Sequence, residues 1–143
     1  MAPNAIDGVT GTIVDAAYKI HTKLGPGLLE SVYETVLARD LSRRGLGVER
    51  QAPISFEYDG LRFENGFRAD LLVAGCVIVE IKSVEKLGAV HPKQLLSYLR
   101  LARLRVGLLI NFGEAHLRDG LKRIVNGLSE GEAQPLRINQ ASE

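Results

Sequence analysis

At 143 residues the chain is long enough for one domain with its own core, and too short for folds of about 250 residues such as a TIM barrel. Its hydrophobic content of 45%, charged content of 24% and single cysteine, Cys76, exclude general disorder, an internal disulfide and a cysteine-based zinc cage. The net charge of +1 hides a basic second half, since residues 82–123 carry nine Lys and Arg against three Asp and Glu, which makes a polyanion a candidate partner.

Two amphipathic helices open the predicted fold. Apolar residues recur at three- and four-residue spacings over residues 6–24 and again over residues 28–44, a pattern typical of helices that bury one face. The segment L-G-P-G at residues 24–27 separates them, because glycine accommodates a left-handed turn and proline cannot continue a helix. We expect the two helices to pack against each other.

The pattern then changes to the alternation typical of strands. Residues 51–58 alternate and meet Asp59-Gly60, the dipeptide of a tight hairpin, after which residues 61–67 return as a second strand. Residues 68–73 and 77–82 predict two further strands. The second of these is hydrophobic on both faces, as in the centre of a sheet.

The last third of the chain predicts a helix over residues 91–104 and a buried strand over residues 106–111, while residues 116–125 fit either a short edge strand or a helical turn. The predicted order is therefore α-α-β-β-β-β-α-β, an α/β fold with a mixed sheet flanked by helices. We expect a single domain over residues 1–128, followed by a polar tail over residues 129–143.

The chain shows no membrane or secretory pattern. No apolar run approaches the roughly 18 residues of a membrane span, and the N-terminal segment lacks the basic and apolar regions of a secretory signal. A single cysteine also fits a reducing compartment. These features predict a cytoplasmic protein without a membrane partner.

Charged residues interrupt the two strands predicted at residues 68–73 and 77–82. Burying an isolated charge is costly, so such residues are usually paired, bound to a metal or catalytic. Glu80 and Lys82 are two apart and share one face of their strand, and Asp70 lies on the preceding strand. Asp70 shares that face only if the hairpin loop has three residues, because a two-residue Ala74-Gly75 turn puts the carboxylates on opposite faces. The sequence permits both loops.

The chemistry open to these three residues depends on the hairpin. Two carboxylates on one face supply the oxygen ligands that Mg²⁺ prefers, with Mn²⁺ as a substitute, and a neighbouring lysine can stabilise developing negative charge. The competing interpretation is a structural ion pair between Glu80 and Lys82, with Asp70 at the surface. Spacing alone does not decide between the two.

Two motifs in this chain resemble those of a known family. Asp70 followed by E-I-K at residues 80–82 has the form D…(D/E)-X-K, and G-L-L-E-S-V-Y at residues 27–33 has the form G-x-x-E-x-x-Y. Three further segments accompany them: I-H-T-K-L-G-P-G at residues 20–27, R-A-D-L-L at residues 68–72 and G-L-L-I-N-F-G at residues 107–113. Over about residues 9–127 the chain resembles the GxxExxY family of the PD-(D/E)XK nuclease superfamily.

The resemblance implies a restriction-endonuclease-like core and Mg²⁺-dependent hydrolysis of phosphodiester bonds in DNA or RNA. It implies that Asp70 and Glu80 are metal ligands and catalytic residues, with the main-chain carbonyl of Ile81 as a further ligand. Glu30, on the second helix, matches an acidic residue that in exonuclease-like branches reaches the metal, often through water. The alternative is a nucleic-acid-binding or scaffolding module that keeps the nuclease fold without catalysis.

The resemblance also implies three catalytic residues that are not metal ligands. Lys82 matches the catalytic lysine. Gln94 and Tyr98 match a Q-x-x-x-Y pair on the helix after the catalytic strand, and their four-residue spacing puts both on one helix face. An apolar sheet edge or helix pair could also support a homodimer.

Two other residues have competing interpretations. Tyr33 lies one turn after Glu30 and either orients that carboxylate or fills the core. His21 is a lone helix histidine, for which a structural hydrogen bond is the expectation.

Overall fold

The computed structural model describes residues 3–127, which form three α-helices, five strands and one 3₁₀ turn. The helices are α1 (Pro3–Leu24), α2 (Glu30–Arg43) and α3 (Val90–Ala102). The strands are β1 (Val48–Tyr58), β2 (Leu61–Val73), β3 (Val77–Lys82), β4 (Val106–Asn111) and β5 (Leu121–Val125), with the 3₁₀ turn at Leu117–Gly120. The predicted tail, residues 129–143, lies outside the described residues. No helix in the described part is long and apolar enough to cross a membrane.

The five strands form one mixed sheet in the spatial order β1-β2-β3-β4-β5. Neighbouring strands are antiparallel except β3 and β4, which are parallel. The helix α3 makes the crossover between β3 and β4 that parallel neighbours require. This topology confirms the predicted α/β class with a mixed sheet flanked by helices.

Helices cover both faces of the sheet. On one face α1 and α2 pack together over the sheet, as predicted, and this layer includes Ile13, Tyr33, Leu37, Val79, Ile81 and Leu108. On the other face α3 covers a second layer, which includes Leu72, Ile78, Leu95, Leu99 and Leu109. Because side chains alternate along a strand, Glu80 and Lys82 share the α3 side of β3 with Ile78.

The predicted strands at residues 61–67 and 68–73 form the single strand β2. Its pairing with β1 continues across the expected break, since Arg68 lies opposite Pro53. The register between the two strands shifts nearby, where Asn65 takes a left-handed φ of 53°. A bulge of this kind bends a strand without ending it. With β5 at the other edge, the observed order is α-α-β-β-β-α-β-β.

The remaining differences concern element ends. Arg103 has a φ of 57°, which ends α3 at Ala102, before the predicted residue 104. The strand β1 begins at Val48, before the predicted residue 51. Residues 116–125, which fitted a turn or a strand, contain both.

The outer parts of β1 and β2 form a two-stranded ribbon, residues 53–68, because β3 pairs with β2 only from Leu71 onward. Asp59 and Gly60 close the ribbon with φ values of 51° and 78°. Two consecutive positive φ values are typical of the tight hairpin turn that the sequence predicted.

Candidate active site

The β2–β3 hairpin decides which face Asp70 shares. Three pairs define its register: Leu71 with Val79, Leu72 with Ile78 and Val73 with Val77. The loop therefore has three residues, 74–76, and its first two, Ala74 and Gly75, have left-handed φ values of 54° and 66°. Continued by one position beyond Leu71 and Val79, this register sets Asp70 opposite Glu80. It is the arrangement that the two carboxylates need in order to share a face, and one of the two that the sequence permitted.

The Asp70 carboxylate lies where the β2–β3 ladder ends. Beyond the last backbone pair, Asp70 Oδ2 accepts the main-chain N–H of Ile81 at 2.8 Å. Its other oxygen, Oδ1, accepts the Gln51 side-chain amide of β1 at 3.3 Å. Donors from two different strands therefore fix the orientation of this carboxylate.

Glu80 is a buried carboxyl with an unsatisfied oxygen. Its side chain is on a strand whose other central residues are apolar, and only 7% of the residue is exposed. Burial, and then the neighbouring Asp70 carboxylate, raise the pKa of Glu80 to about 9, and the opposing effect of Lys82 is smaller. Glu80 Oε1 has no hydrogen-bond partner in the described part of the chain. Buried acceptors are normally paired, so this oxygen marks a position suited to a donor or a cation.

Lys82 follows Glu80 on the same side of β3 and is half-buried. Within residues 3–127 it forms no ion pair with Glu80 or with any other carboxylate. The competing interpretation of a structural Glu80–Lys82 ion pair is therefore not what the structure contains. The ammonium group is left available to a ligand.

Tyr98 brings α3 to the same site. Partial burial, and then the Glu80 and Asp70 carboxyls, raise the pKa of the Tyr98 hydroxyl. Its ring stacks on that of Phe67, with the centroids 4.1 Å apart and the planes 10° from parallel. Gln94 lies one turn earlier on α3 and is exposed.

Glu30 lies at the far end of β3 and not beside the other two carboxylates. It is the first residue of α2 and is exposed, and its Oε2 accepts the main-chain N–H of Ser83 at 3.3 Å. Within residues 3–127 no three His, Cys, Asp or Glu side chains converge closely enough to hold a metal. Glu30 is therefore not grouped with Asp70 and Glu80 into a metal-binding cluster, and its carboxylate contacts Ser83, the residue after Lys82.

Two residues that the sequence did not single out connect α2 to the site. Glu34 is buried and accepts hydrogen bonds from the guanidinium of Arg50 at 3.0 and 3.1 Å and from the Gln51 amide at 2.6 Å. The same Gln51 amide reaches Asp70, and Gln51 has a left-handed φ of 49°. The position of Glu34 one turn after Glu30 was a usable signal, whereas a left-handed glutamine leaves no sequence pattern.

Tyr33 and His21 have structural roles. Tyr33 is fully buried against Phe112, with ring centroids 4.3 Å apart, and its hydroxyl donates to the Gly25 carbonyl at 2.6 Å. It thereby fills the core and holds the loop before Glu30. The His21 ring is within hydrogen-bond distance, 2.8 Å, of the Glu114 carbonyl.

Comparison with known proteins identifies the family. Searches of curated proteins and of solved structures give no match. A family model for the PD-(D/E)XK nuclease superfamily matches residues 7–124, which is most of the chain and includes all the candidate residues described above. The finer resemblance to the GxxExxY family stays a prediction. The chain belongs to the PD-(D/E)XK nuclease superfamily.

Proposed function

We propose that this protein is a metal-dependent nuclease that hydrolyses phosphodiester bonds in DNA or RNA. One observation carries the proposal: Asp70 and Glu80 lie where the β2–β3 pairing ends, with Asp70 accepting the N–H of Ile81, and one oxygen of the buried Glu80 has no partner in the described part of the chain. A structural role does not account for that oxygen, since leaving a buried acceptor unpaired is destabilising. Membership in a nuclease superfamily supports a role for the two carboxyls in phosphodiester hydrolysis.

The donor set fits a hard divalent cation. Asp70 and Glu80 offer carboxylate oxygens, the Ile81 carbonyl is a further candidate ligand, and Mg²⁺ is commonly held by one or two carboxylates together with waters and substrate phosphates. A cation beside Glu80 would also favour the ionised form of a carboxyl whose pKa is otherwise about 9. When bound, Mg²⁺ or its substitute Mn²⁺ supplies Lewis-acid stabilisation of the phosphate and activation of water.

The remaining candidate residues have separate tasks in the proposal. The Lys82 ammonium stabilises the negative charge that builds on the phosphate in the transition state, and no carboxylate among residues 3–127 forms an ion pair with it. Gln94 and Tyr98 orient the phosphate or the attacking water from α3. Glu30 acts at longer range, through water, from the end of β3.

Nucleic acid is the proposed partner because the part of the chain that follows β3 is rich in Lys and Arg. Exposed basic side chains on α3, at its C-terminal end and on β5 include Lys93, Arg100, Arg103 and Lys122. Such side chains bind phosphates without reading sequence. A cytoplasmic location and a homodimer stay predictions beside this proposal.

A panel of labelled substrates tests the proposal. Single- and double-stranded DNA and RNA are incubated with the wild type and with Glu80→Gln, each in Mg²⁺, Mn²⁺ or EDTA. We expect the wild type to cleave at least one substrate with either cation and none in EDTA. Glu80→Gln should lose at least about 100-fold in rate. As a matched control, Glu85→Gln changes an exposed carboxylate in the next loop and should cleave at the wild-type rate.

Two results would contradict the proposal. Binding of nucleic acid without cleavage under any metal condition would favour the non-catalytic module. Cleavage that survives both EDTA and Glu80→Gln would come from a contaminant or from another site.

A further inference from the structure

The ribbon carries an apolar face that the described chain leaves uncovered at its tip. Tyr58 is 68% exposed, Leu61 61% and Phe63 42%. Tyr58 lies opposite Leu61 and Phe56 lies opposite Phe63, so the four side chains project from the same face of the ribbon. Exposed apolar groups in one patch are typical of a binding surface.

This face continues inward as an aromatic ladder, defined here as Phe63, Phe56, Phe67 and Tyr98. Successive ring centroids are 5.1 Å, 6.3 Å and 4.1 Å apart. The ladder ends at Tyr98, which packs against the layer that contains Ile78, two residues before Glu80 on the same side of β3. Aromatic rings therefore connect the ribbon tip to the candidate active site without a break.

A glycine and a bulge in β2 position the rings of the ladder. A Cβ atom on Gly66 would lie 2.2 Å from the Phe56 ring, so that ring packs directly over the glycine backbone. Asn65 is left-handed at the adjacent bulge, where the register changes between the pair Ile54–Phe67 and the pair Phe56–Phe63. Glycines and bulges in strands commonly mark a close approach or a redirected side chain.

Two occupants would suit such a surface: a second copy of the chain or the bases of a nucleic acid. An interface between two copies does not require an apolar face that continues to the carboxyls of the candidate site. A surface that binds the substrate must reach those carboxyls. We propose that this face is a stacking platform for unpaired bases, which contact the exposed rings of Tyr58 and Phe63 at the ribbon tip, so that the substrate is single-stranded nucleic acid. This inference rests on the proposed nuclease function and assigns its substrate class.

The physical basis is the exposed π-face of an unpaired base. Every base can stack on an aromatic side chain, so a ladder of rings binds single strands with little sequence preference. In a blunt duplex the faces of the bases are covered by neighbouring base pairs, and the ladder has nothing to stack on. Phe63 and Tyr58 are the most exposed rings of this face and should contribute most to affinity.

Fluorescence anisotropy in EDTA measures binding separately from hydrolysis. The probes are labelled oligo-dT and oligo-U of about 15 nucleotides and a blunt duplex of the same length. The variants are Phe63→Leu, which removes the ring and keeps an apolar side chain, and Phe63→Tyr, which keeps the ring. Tyr58→Leu gives a second test at the ribbon tip in case the first variant disturbs the ribbon. The control Val125→Ala truncates a similarly exposed apolar residue at the opposite edge of the sheet.

We expect the wild type to bind the single strands more tightly than the duplex. Phe63→Leu and Tyr58→Leu should weaken single-strand binding by about fivefold to a hundredfold, the range measured for loss of one base–aromatic stack. Phe63→Tyr and Val125→Ala should bind as the wild type does. The DNA and RNA probes show which single strand is preferred.

The outcomes separate this inference from the proposed function. Unchanged single-strand affinity in both leucine variants, in a protein that cleaves nucleic acid, overturns the stacking platform and leaves the nuclease intact. Loss of affinity in a protein that cleaves nothing supports the platform and overturns the nuclease. A ribbon variant that converts a dimer to a monomer without changing affinity assigns the face to a second copy, and overturns the inference.

Discussion

Replacing Glu80 with glutamine should stabilise the metal-free protein, and increasingly so as pH rises. The pKa of Glu80 rises from 4.5 to about 9 on folding because of burial and the Asp70 carboxylate. The folded state therefore holds a proton that the unfolded state releases, and stability falls as pH increases from about 4.5 to about 9. Glutamine has the shape of the protonated carboxyl and no titration, so it removes this dependence.

The size of the effect follows from the pKa difference. A pH of 7 is about 2.5 units above the pKa of the carboxyl in the unfolded chain. Each unit corresponds to 1.36 kcal/mol, so proton uptake on folding costs about 3 kcal/mol. At pH 5 the same calculation gives less than about 1 kcal/mol. The free energy of unfolding of Glu80→Gln minus that of the wild type should therefore increase by roughly 2 to 3 kcal/mol from pH 5 to pH 7.

Urea denaturation in EDTA at several pH values measures this difference directly. All other titrating groups are common to both proteins, so the subtraction isolates Glu80. Glu85→Gln is the matched control, because Glu85 is exposed in the loop after β3. A difference between Glu80→Gln and wild type that stays constant within about 0.5 kcal/mol from pH 5 to pH 8 would refute the reasoning.

Three further predictions follow from the same structure. Millimolar Mg²⁺ or Mn²⁺ should raise the melting temperature of the wild type and not that of Glu80→Gln, as measured by calorimetry, because the cation binds only the folded pair of carboxylates; equal shifts in both proteins would argue against this site. Gln51→Gly keeps the left-handed backbone and removes the amide that holds Asp70, so single-turnover cleavage should slow about tenfold at unchanged substrate affinity; an unchanged rate would remove Gln51 from the account. Gly113→Ala should lower the free energy of unfolding by about 2 kcal/mol or more, because the added Cβ would lie 2.2 Å from a backbone oxygen of the loop after β3. In the control Gly47→Ala the added Cβ has no atom within 4 Å, so the free energy of unfolding should change little. Similar urea midpoints for the two variants would contradict this prediction.

Periodicity predicted the fold class because this sheet is strongly patterned. The apolar strand at residues 77–82 lies at the centre of the sheet, and the Asp59-Gly60 turn closes the ribbon as expected. The division of β2 into two strands was wrong because the pairing with β1 resumes after the bulge at Asn65 and runs through Phe67 and Arg68, across the expected break. The local sequence pattern indicates how side chains alternate between the two faces of a strand. It does not indicate which backbone groups form hydrogen bonds with each other.

The candidate site was predictable to the level of the hairpin. Sequence parity reduced the Asp70–Glu80 question to the length of one loop, and the structure has the three-residue form. Glu30 was assigned to the metal, often through water, by resemblance alone, and its partner in the structure, the N–H of Ser83, depends on how α2 meets the end of β3. Contacts of this kind arise from the packing of distant elements, which spacing along the chain does not encode.

The central claim is hydrolysis assisted by Lys82 beside the two carboxyls, and one comparison of rates tests it most directly. Cleavage of the best substrate at millimolar Mg²⁺ is measured for the wild type, for Lys82→Met, and for Lys86→Met, which removes an exposed ammonium four residues further on. Metal-dependent cleavage should fall at least about 100-fold in Lys82→Met and stay near the wild-type rate in Lys86→Met. Equal rates in the two variants, or no metal-dependent cleavage by the wild type, would contradict it.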